Sequence, residues 1–361
     1  MGNDKNITYK IGRTQWKKYV FVVTLVGNNK FLDGQTVKTK NIYNELVKKY
    51  GEENISKIDT FNWKKYPIYF IRKCRKELKN TENLIILPAH NGVKVFVPFF
   101  NFWNKFYHKK IFYAVVGGWL PELLASKTWL TKEVRKLSKV FVETTKMKTE
   151  LSKLGIKNVE ILVNFKSIQV LNEKDLRYEY SRPLELCTFS RVMKEKGIED
   201  AIDIVKKINE ETNEIVYTLD IYGPIDKGYV EKFENLKDTL PSYIKYAGCV
   251  DSEKSVEALK RYYLLLFPTK FKTEGIPGTI IDALSAGVPV VASKWENYAD
   301  ILANEENSFL FNMNDLKEFE NILKNLKDVN KVIKIKNKTL QSVTKFKPDT
   351  AMQVLYQNIE E

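Results

Sequence analysis

The chain has 361 residues, more than one compact core usually holds, and 43% of them are hydrophobic, which is enough to build two domains. No run of 18 apolar residues occurs, and the cysteines at 74, 187 and 249 have neither pairing nor metal-site spacing. These features argue against a membrane-spanning protein, a disulfide scaffold and a zinc module. The net charge of +14 comes from residues 1–170, which carry a net +19 against −5 for the remainder.

The first half begins with a predicted strand at residues 19–26, a turn-rich loop at 27–34 and an amphipathic helix at 35–49. Gly34 would let the backbone approach an anion closely, and Lys38 could add positive charge. An ordinary strand-to-helix turn has the same composition. Neither a G-x-G-x-x-G dinucleotide sequence nor a Walker sequence occurs.

Further strands are predicted at residues 84–87, 111–116, 140–144 and 159–163. The first is followed by His90, which could hydrogen-bond a hydroxyl, and the second by Gly117, Gly118 and Trp119. The two glycines would allow close backbone approach, and Trp119 could stack against a sugar or simply join the core. These residues lie in a first domain predicted to span residues 1–166.

Two segments of this domain, residues 64–80 and 99–110, mix aromatic residues with cations as interfacial surfaces do. The basic charge favours an anionic membrane surface or a diphosphate-linked acceptor. Nucleic-acid binding is the competing interpretation. Because the sequence contains no nucleic-acid recognition module, we do not expect a nucleic acid as a partner. Residues 19–26 lack a signal-cleavage site, so we expect a cytoplasmic protein held peripherally at the inner face of the plasma membrane.

The second half continues the alternation, with strands predicted at residues 184–190, 216–222, 244–247 and 264–267 and helices at 229–240 and 257–263. Nearly continuous apolar strands with helices between them predict a parallel α/β sheet covered on both faces. Arg191 and Lys196 follow the first of these strands, where open sheets bind ligands. Together they suit a diphosphate that gains charge, although solvated surface cations can have the same spacing.

Residues 268–293 read PTKFKTEGIPGTIIDALSAGVPVVAS and predict a turn, a short helix and a buried strand. Glu274 stands in the turn, and Asp282 lies about two helical turns beyond it. The start of the helix would offer backbone amides to a phosphate. The predicted phosphate seat consists of Gly275, Ile276, Pro277 and Gly278.

The spacing of Glu274 and Asp282 resembles the E-x7-E element of the retaining family-four glycosyltransferases, and Arg191 with Lys196 matches the R-x4-K pair of the same family. The resemblance runs from residue 184 to 292. It implies the GT-B fold, an α/β architecture of two Rossmann-like domains facing each other across a cleft. The second domain would span 167–345, and residues 346–361 would form a helix crossing back to the first.

The resemblance also implies roles for the site residues. Glu274 would contact the hydroxyls of the donor sugar, Asp282 the nucleotide ribose and Val250 the base, with Arg191 and Lys196 holding the diphosphate. The glycine loop containing Gly34 would approach the donor phosphates from the opposite domain. Asp282 is shorter than the usual glutamate, and Gly117-Gly118-Trp119 replaces a histidine common in the family, which leaves the acceptor side open. The acceptor-side residues would be His90, Gly117, Gly118 and Trp119.

The function that follows is transfer of a sugar from a nucleoside diphosphate donor, expected to be a UDP-sugar, with retention. The acceptor would be lipid-linked or a saccharide in bacterial capsule, exopolysaccharide or O-antigen synthesis. No cofactor or metal is expected, because cations and helix ends would stabilise the leaving diphosphate. The alternatives are a basic nucleic-acid-binding protein and a GT-B sugar-nucleotide epimerase that does not transfer.

Overall fold

The computed structural model describes residues 18–24, 34–167, 169–272 and 274–361. Most of the predicted loop at 27–34 therefore lies outside the described residues, as do the last two residues of the predicted first strand. Two six-stranded sheets, in which every paired strand is parallel, organise the described chain. The predicted α/β class is confirmed.

The first sheet has the strand order β2-β1-β3-β4-β5-β6. Its strands are β1 (Lys18–Thr24), β2 (Ile55–Asp59), β3 (Thr81–Ile86), β4 (Lys110–Ala114), β5 (Lys139–Val142) and β6 (Val159–Ile161). The helices of this domain are α1 (Gly34–Tyr50), α2 (Pro67–Asn80), α3 (Val93–Tyr107), α4 (Leu120–Ala125), α5 (Thr128–Val134) and α6 (Thr145–Lys153). Apolar side chains of α2 and α3 pack with β3 and β4 in one core, and those of α1 pack in another.

The second sheet has the order β12-β11-β10-β7-β8-β9. Its strands are β7 (Leu184–Phe189), β8 (Tyr217–Tyr222), β9 (Ile244–Gly248), β10 (Leu264–Phe267), β11 (Val290–Ser293) and β12 (Ser308–Phe311). The accompanying helices are α7 (Ile198–Thr212), α8 (Val230–Lys237), α9 (Ser255–Leu259), α10 (Gly278–Ser285), α11 (Leu316–Asn325) and α12 (Val329–Gln341). Strand order reverses between β7 and β10, which is where doubly wound sheets bind ligands.

The helix predicted at residues 257–263 ends earlier than expected. Helix α9 stops at Leu259, and Tyr262 and Tyr263, which precede β10, already hydrogen-bond to residues of the sheet. The Tyr263 amide donates to the Glu185 carbonyl at 2.8 Å, and the Tyr262 hydroxyl donates to Asp220 at 2.6 Å. These tertiary contacts replace the next helical turn.

The end of the chain returns to the first sheet. Helices α13 (Pro348–Ala351) and α14 (Gln353–Glu360) follow the second domain, and Leu355 and Ile359 join the same buried cluster as Ile42 of α1. The Tyr356 hydroxyl donates to the Glu45 carbonyl at 3.2 Å. The last helix therefore fastens the two halves of the molecule together. Among the described residues, no helix combines the length and apolar character needed to cross a bilayer.

Candidate functional site

A cavity of about 570 Å³ lies between the two domains at the carboxyl ends of β7 and β10. Its wall includes seven residues predicted from the sequence, namely Arg191, Lys196, Val250, Glu274, Pro277, Gly278 and Asp282. The first domain contributes Val37, Asn164, Phe165 and Lys166. Residues far apart in the sequence thus meet at the switch point of the second sheet.

Arg191 and Lys196 reach the cavity from the turn between β7 and α7. The Arg191 guanidinium is half exposed and lies 3.5 Å from an Asp226 oxygen, which leaves most of its donors for a ligand. Gly197, with φ +68°, ends this turn, and a Cβ there would lie 2.1 Å from the Pro268 carbonyl oxygen. Glycine is therefore required where the turn packs against Pro268, the residue that follows β10.

Lys196 and Glu274 form an ion pair inside the cavity, with their side chains 15% and 17% exposed. The Lys196 ammonium also lies 5.4 Å from the ring centre of Phe267 and 5.9 Å from that of Phe271. Lys196 and Glu274, two of the three residues predicted to be catalytic, thus lie together and neutralise each other. The third is Arg191. A ligand with a diphosphate and a sugar could separate them, because each charged group would gain its own partner.

The loop after Glu274 contacts the first domain with its first residues and lines the cavity with its last. The Ile276 amide donates to Glu143 at 3.3 Å, and its carbonyl accepts from the Asn164 side chain at 2.9 Å. A Cβ on Gly275 would lie 2.3 Å from a Glu143 oxygen and 3.2 Å from the Gly117 Cα. Of the predicted phosphate seat, Gly275 and Ile276 contact the first domain, whereas Pro277 and Gly278 line the cavity.

Beneath this loop lies a buried ion pair that was not predicted. Lys38 is 1% exposed and donates to Glu143 at 2.8 Å and to the Val115 carbonyl at 3.1 Å. Burial lowers the pKa of Lys38, and the neighbouring Glu143 opposes that shift. Lys38 was expected to add charge to the anion seat, but its ammonium instead holds the carboxylate that fixes the loop at Ile276.

The start of α10 presents hydrogen-bond donors to the cavity. The first amides of a helix have no intrahelical acceptor, and Gly278 and Thr279 both line the cavity. The buried Thr279 hydroxyl has no hydrogen-bond partner among the described residues. Sequence reasoning missed Thr279, although a hydroxyl at the second position of a helix that follows a glycine turn is a recognisable signal for an anion.

Asp282 lies deeper in the cavity wall and is bound on both oxygens. The Lys166 ammonium lies 2.6 Å from one carboxylate oxygen and 2.7 Å from the other. Burial raises the pKa of Asp282, and Lys166 and Ser255 act against that shift. The structure therefore brings Asp282 to the cavity with a cation interposed, and Lys166 is a site residue that the sequence did not reveal.

The remaining predicted residues divide between the two domains. Val250 lines the cavity just after β9, beside Cys249 and Tyr222. Gly34 is the first residue of α1, but the loop before it is outside the described residues. Within the described chain, no cluster of three or more histidine, cysteine, aspartate or glutamate side chains could hold a metal ion. Metal independence stays a prediction.

The predicted acceptor-side residues come together at the carboxyl ends of β3 and β4. The rings of His90 and Trp119 lie 5.2 Å apart at 67°, and the Trp119 indole N–H donates to the Val116 carbonyl at 2.8 Å. Gly117 and Gly118 follow β4 and precede Trp119. Gly117 lies against Gly275 in the loop of residues 274–277, called the donor-side loop below. None of the four lines the 570 Å³ cavity.

Sequence comparison matches the second domain to a known family. Residues 183–328 match the family described as Glycosyl transferases group 1. A curated relative, the uncharacterized glycosyltransferase MJ1069 of Methanocaldococcus jannaschii, is 23% identical over 167 residues, 45% of this chain and 41% of that protein. The match therefore spans less than half the length of the curated relative.

Several solved structures share the whole architecture. Anabaena Alr3699/HepE, crystallised in complex with UDP, gives a TM-score of 0.73 at 14% identity over 94% of this chain and 99% of that chain. Sucrose-phosphate synthase from Thermosynechococcus elongatus gives 0.72 at 12% identity, covering 94% and 98%. The lipopolysaccharide outer core galactosyltransferase WaaB gives 0.67 at 16% identity, also covering 94% and 98%. The predicted GT-B fold is confirmed.

Proposed function

We propose that this protein is a retaining glycosyltransferase that moves a sugar from a UDP-sugar to a lipid-linked or saccharide acceptor in bacterial capsule, exopolysaccharide or O-antigen assembly. The observation that carries the proposal is the interdomain cavity in which Arg191, Lys196, Glu274 and the start of α10 converge. The match of residues 183–328 to Glycosyl transferases group 1 supports transfer. The UDP complex of HepE, a protein of similar fold, supports the choice of nucleotide.

In this mechanism the bond between the sugar C1 and the β-phosphate oxygen breaks as an acceptor oxygen bonds to C1 on the same face. The acceptor proton passes to the departing phosphate. Arg191, Lys196 and the first amides of α10 stabilise the charge that grows on the diphosphate, which is the largest contribution such a site can make. Glu274, released from Lys196 by the donor, accepts hydrogen bonds from sugar hydroxyls and orients the ring.

A ligand screen followed by product analysis tests the proposal. UDP-sugars, GDP-sugars and ADP-sugars are compared by thermal shift, since a ligand that binds only the folded state raises the melting temperature. The stabilising donor is then incubated with saccharide and polyprenyl-linked acceptors, with and without EDTA. We expect a UDP-sugar to stabilise the protein and the new linkage to keep the donor's anomeric configuration. An inverted product, or an epimerised nucleotide sugar without transfer, would contradict the proposal.

We also propose that the outer face of α2 and α3 contacts an anionic membrane. The two helices are neighbours, because the rings of Phe70 and Phe96 lie 5.9 Å apart and the Arg75 guanidinium lies 5.0 Å from the ring centre of Trp103. Apolar side chains on this face are exposed, among them Ile68 at 67% and Phe106 at 64%. The aromatic–basic face comprises Tyr66, Ile68, Tyr69, Arg72, Lys76, Phe102, Lys105 and Phe106.

The exposed aromatic rings and the positive charge both favour a bilayer as the partner of the aromatic–basic face. Exposed aromatic rings suit the headgroup region, and each lysine or arginine near an anionic surface contributes about 1 kcal/mol. The N-termini of α2 and α3 lie at the cleft edge of the sheet, since crossover helices run antiparallel to parallel strands. A lipid-linked acceptor held in the bilayer would therefore approach on the side of His90 and Trp119.

Cosedimentation with vesicles tests this face. Wild-type protein is mixed with phosphatidylcholine vesicles, with vesicles containing phosphatidylglycerol, and with mixed RNA at several salt concentrations. We expect binding to the anionic vesicles, and at least a tenfold loss in Ile68→Asp/Phe106→Asp. Ile215→Asp, at an exposed position of the second domain, is the matched control. Retention on RNA that exceeds retention on anionic vesicles would favour the nucleic-acid-binding alternative instead.

A further inference from the structure

One wall of the cavity presents a cation where an acidic residue was predicted. We propose that the Lys166 ammonium, held by Asp282, is the group that contacts the ribose of the donor nucleotide. This assignment rests on the proposed function. It gives the ribose subsite a hydrogen-bond donor, contributed by the segment that joins the two domains.

The geometry places Lys166 between Asp282 and the rest of the cavity. Its ammonium lies within 2.7 Å of both carboxylate oxygens, and both residues line the cavity. The lysine stem passes the start of α10, because its Cδ lies 3.5 Å from where a Cβ on Gly278 would stand. A ligand whose phosphates sit at Gly278 would therefore meet Lys166 before it could reach the carboxylate.

Access decides which of the two groups can serve the ligand, because a carboxylate has about four lone-pair sites and Lys166 occupies only two of them. Asp282 is 2% exposed and directs both oxygens at Lys166. An ammonium has three N–H donors, and two are satisfied by the carboxylate. The third remains for an acceptor in the cavity, such as a ribose oxygen. The shorter aspartate is thus compensated by a lysine that extends the contact outward.

The charge of the pair supports the same assignment. The charges of Asp282 and Lys166 sum to zero, so the pair adds no net charge beside the diphosphate. An unpaired carboxylate this deeply buried would be costly, because removing one partner of a buried ion pair leaves the other charge uncompensated. Lys166 therefore stays with Asp282 when the donor binds and lends the donor only its free N–H.

Deoxynucleotides provide the test. The dissociation constants of UDP, 2′-deoxy-UDP and 3′-deoxy-UDP are measured by calorimetry for wild type and for Lys166→Met/Asp282→Asn, which removes both charges together. In wild type we expect at least one deoxy analogue to bind about tenfold more weakly than UDP, as for a lost hydrogen bond to a charged group. In the double variant the difference should fall to about twofold. If that double variant does not fold, Lys166→Met/Asp282→Leu, which replaces the pair with apolar side chains and leaves no buried charge alone, gives the same comparison.

The control must separate a ligand contact from a link between domains. Lys146 and Glu296 also join the two domains, at 2.9 Å, but neither lines the cavity, so Lys146→Met should discriminate as wild type does. The assignment would be overturned if the double variant still bound UDP more tightly than the deoxy analogues by the wild-type factor. It would also be overturned if the double variant and Lys146→Met weakened the binding of all three ligands equally. If folded wild-type protein bound no UDP, that result would contradict the proposed donor itself, and the assignment of Lys166 to the ribose would no longer apply.

Discussion

At the scale of single residues, the site consists of charges that satisfy one another before any ligand arrives. Lys196 pairs with Glu274, Lys166 with Asp282, and Lys38 with Glu143. The first two pairs line the cavity, and the third lies under the donor-side loop. A ligand that carries its own negative charge and hydroxyls can replace the first pairing without leaving a buried charge alone.

Lys196→Ala should abolish most of the transfer without unfolding the protein. It removes a cation placed to stabilise the leaving diphosphate, and loss of one such group costs about 100- to 1,000-fold in kcat. The measurement is kcat and KM with the donor identified by thermal shift. Lys194→Ala is the matched control, since Lys194 is exposed on the same turn and does not line the cavity. Equal activity of the two variants would rule out the role given to Lys196.

Lys336→Met should stabilise the protein at neutral pH. The Lys336 ammonium is buried, has no hydrogen-bond partner among the described residues and lies 5.5 Å from the ring centre of Tyr180. Burial lowers the pKa of Lys336 to about 8. Protonated Lys336 is therefore less favourable in the folded state than in the unfolded chain. Below pH 8 this lowers the free energy of unfolding by about 3 kcal/mol.

The pH dependence provides the check on that variant. Between pH 8 and the ordinary lysine value the unfolded chain binds more protons than the folded one, so wild-type stability rises with pH. The advantage of Lys336→Met in urea unfolding should therefore be largest at pH 7 and shrink toward pH 10. Lys338→Met, at an exposed position of α12, should show neither effect. A constant advantage at all pH values would contradict the explanation.

At the scale of elements, the donor-side loop is held by the first domain as much as by its own. The Asn297 side chain donates to the Glu274 carbonyl at 2.7 Å, and the Thr144 hydroxyl donates to Asn297 at 2.9 Å. Together with the Glu143 and Asn164 contacts to Ile276, these bonds tie β5 and β6 of one sheet to the loop before α10 of the other. The position of the phosphate seat therefore depends on how the domains are packed.

Glu143→Ala should damage both stability and donor binding. It leaves the buried Lys38 ammonium without its partner, which typically costs about 3–5 kcal/mol, and it frees the Ile276 amide. We expect a lower urea midpoint and a raised KM for the donor. The double variant Lys38→Met/Glu143→Ala should recover much of the stability but not the KM. Recovery of both would mean that the loop does not depend on Glu143.

At the scale of the whole molecule, the carboxyl terminus links the domains. Leu355 is fully buried in the first domain's core although it follows the second domain in the chain. Leu355→Ala should cost about 2–5 kcal/mol by leaving a cavity in that core, whereas Gln357→Ala, at an exposed position of the same helix, should cost less than about 0.5 kcal/mol. Urea unfolding measures both. Equal effects would show that α14 contributes little to the core.

The strands differ in how well their local sequence predicts them. Strands such as β7 and β10 are nearly continuous apolar runs and were predicted within a residue or so of their ends. Strand β2, at the edge of its sheet, was missed because ISKID is short and half polar, although three of its five residues are buried. Its place beside β1 is decided by pairing with a distant neighbour, which no local pattern records.

By itself the sequence determined the α/β alternation, the two-domain division of charge and the residue types of a phosphate-binding turn, because these follow from periodicity and from local backbone chemistry. Only the tertiary structure decided which of those residues share one cavity and which are already paired. Lys166 lies 116 residues before Asp282, and Lys38 lies 105 residues before Glu143. A contact between side chains that distant in the chain is set by the packing of whole sheets, and no spacing in the sequence can report it.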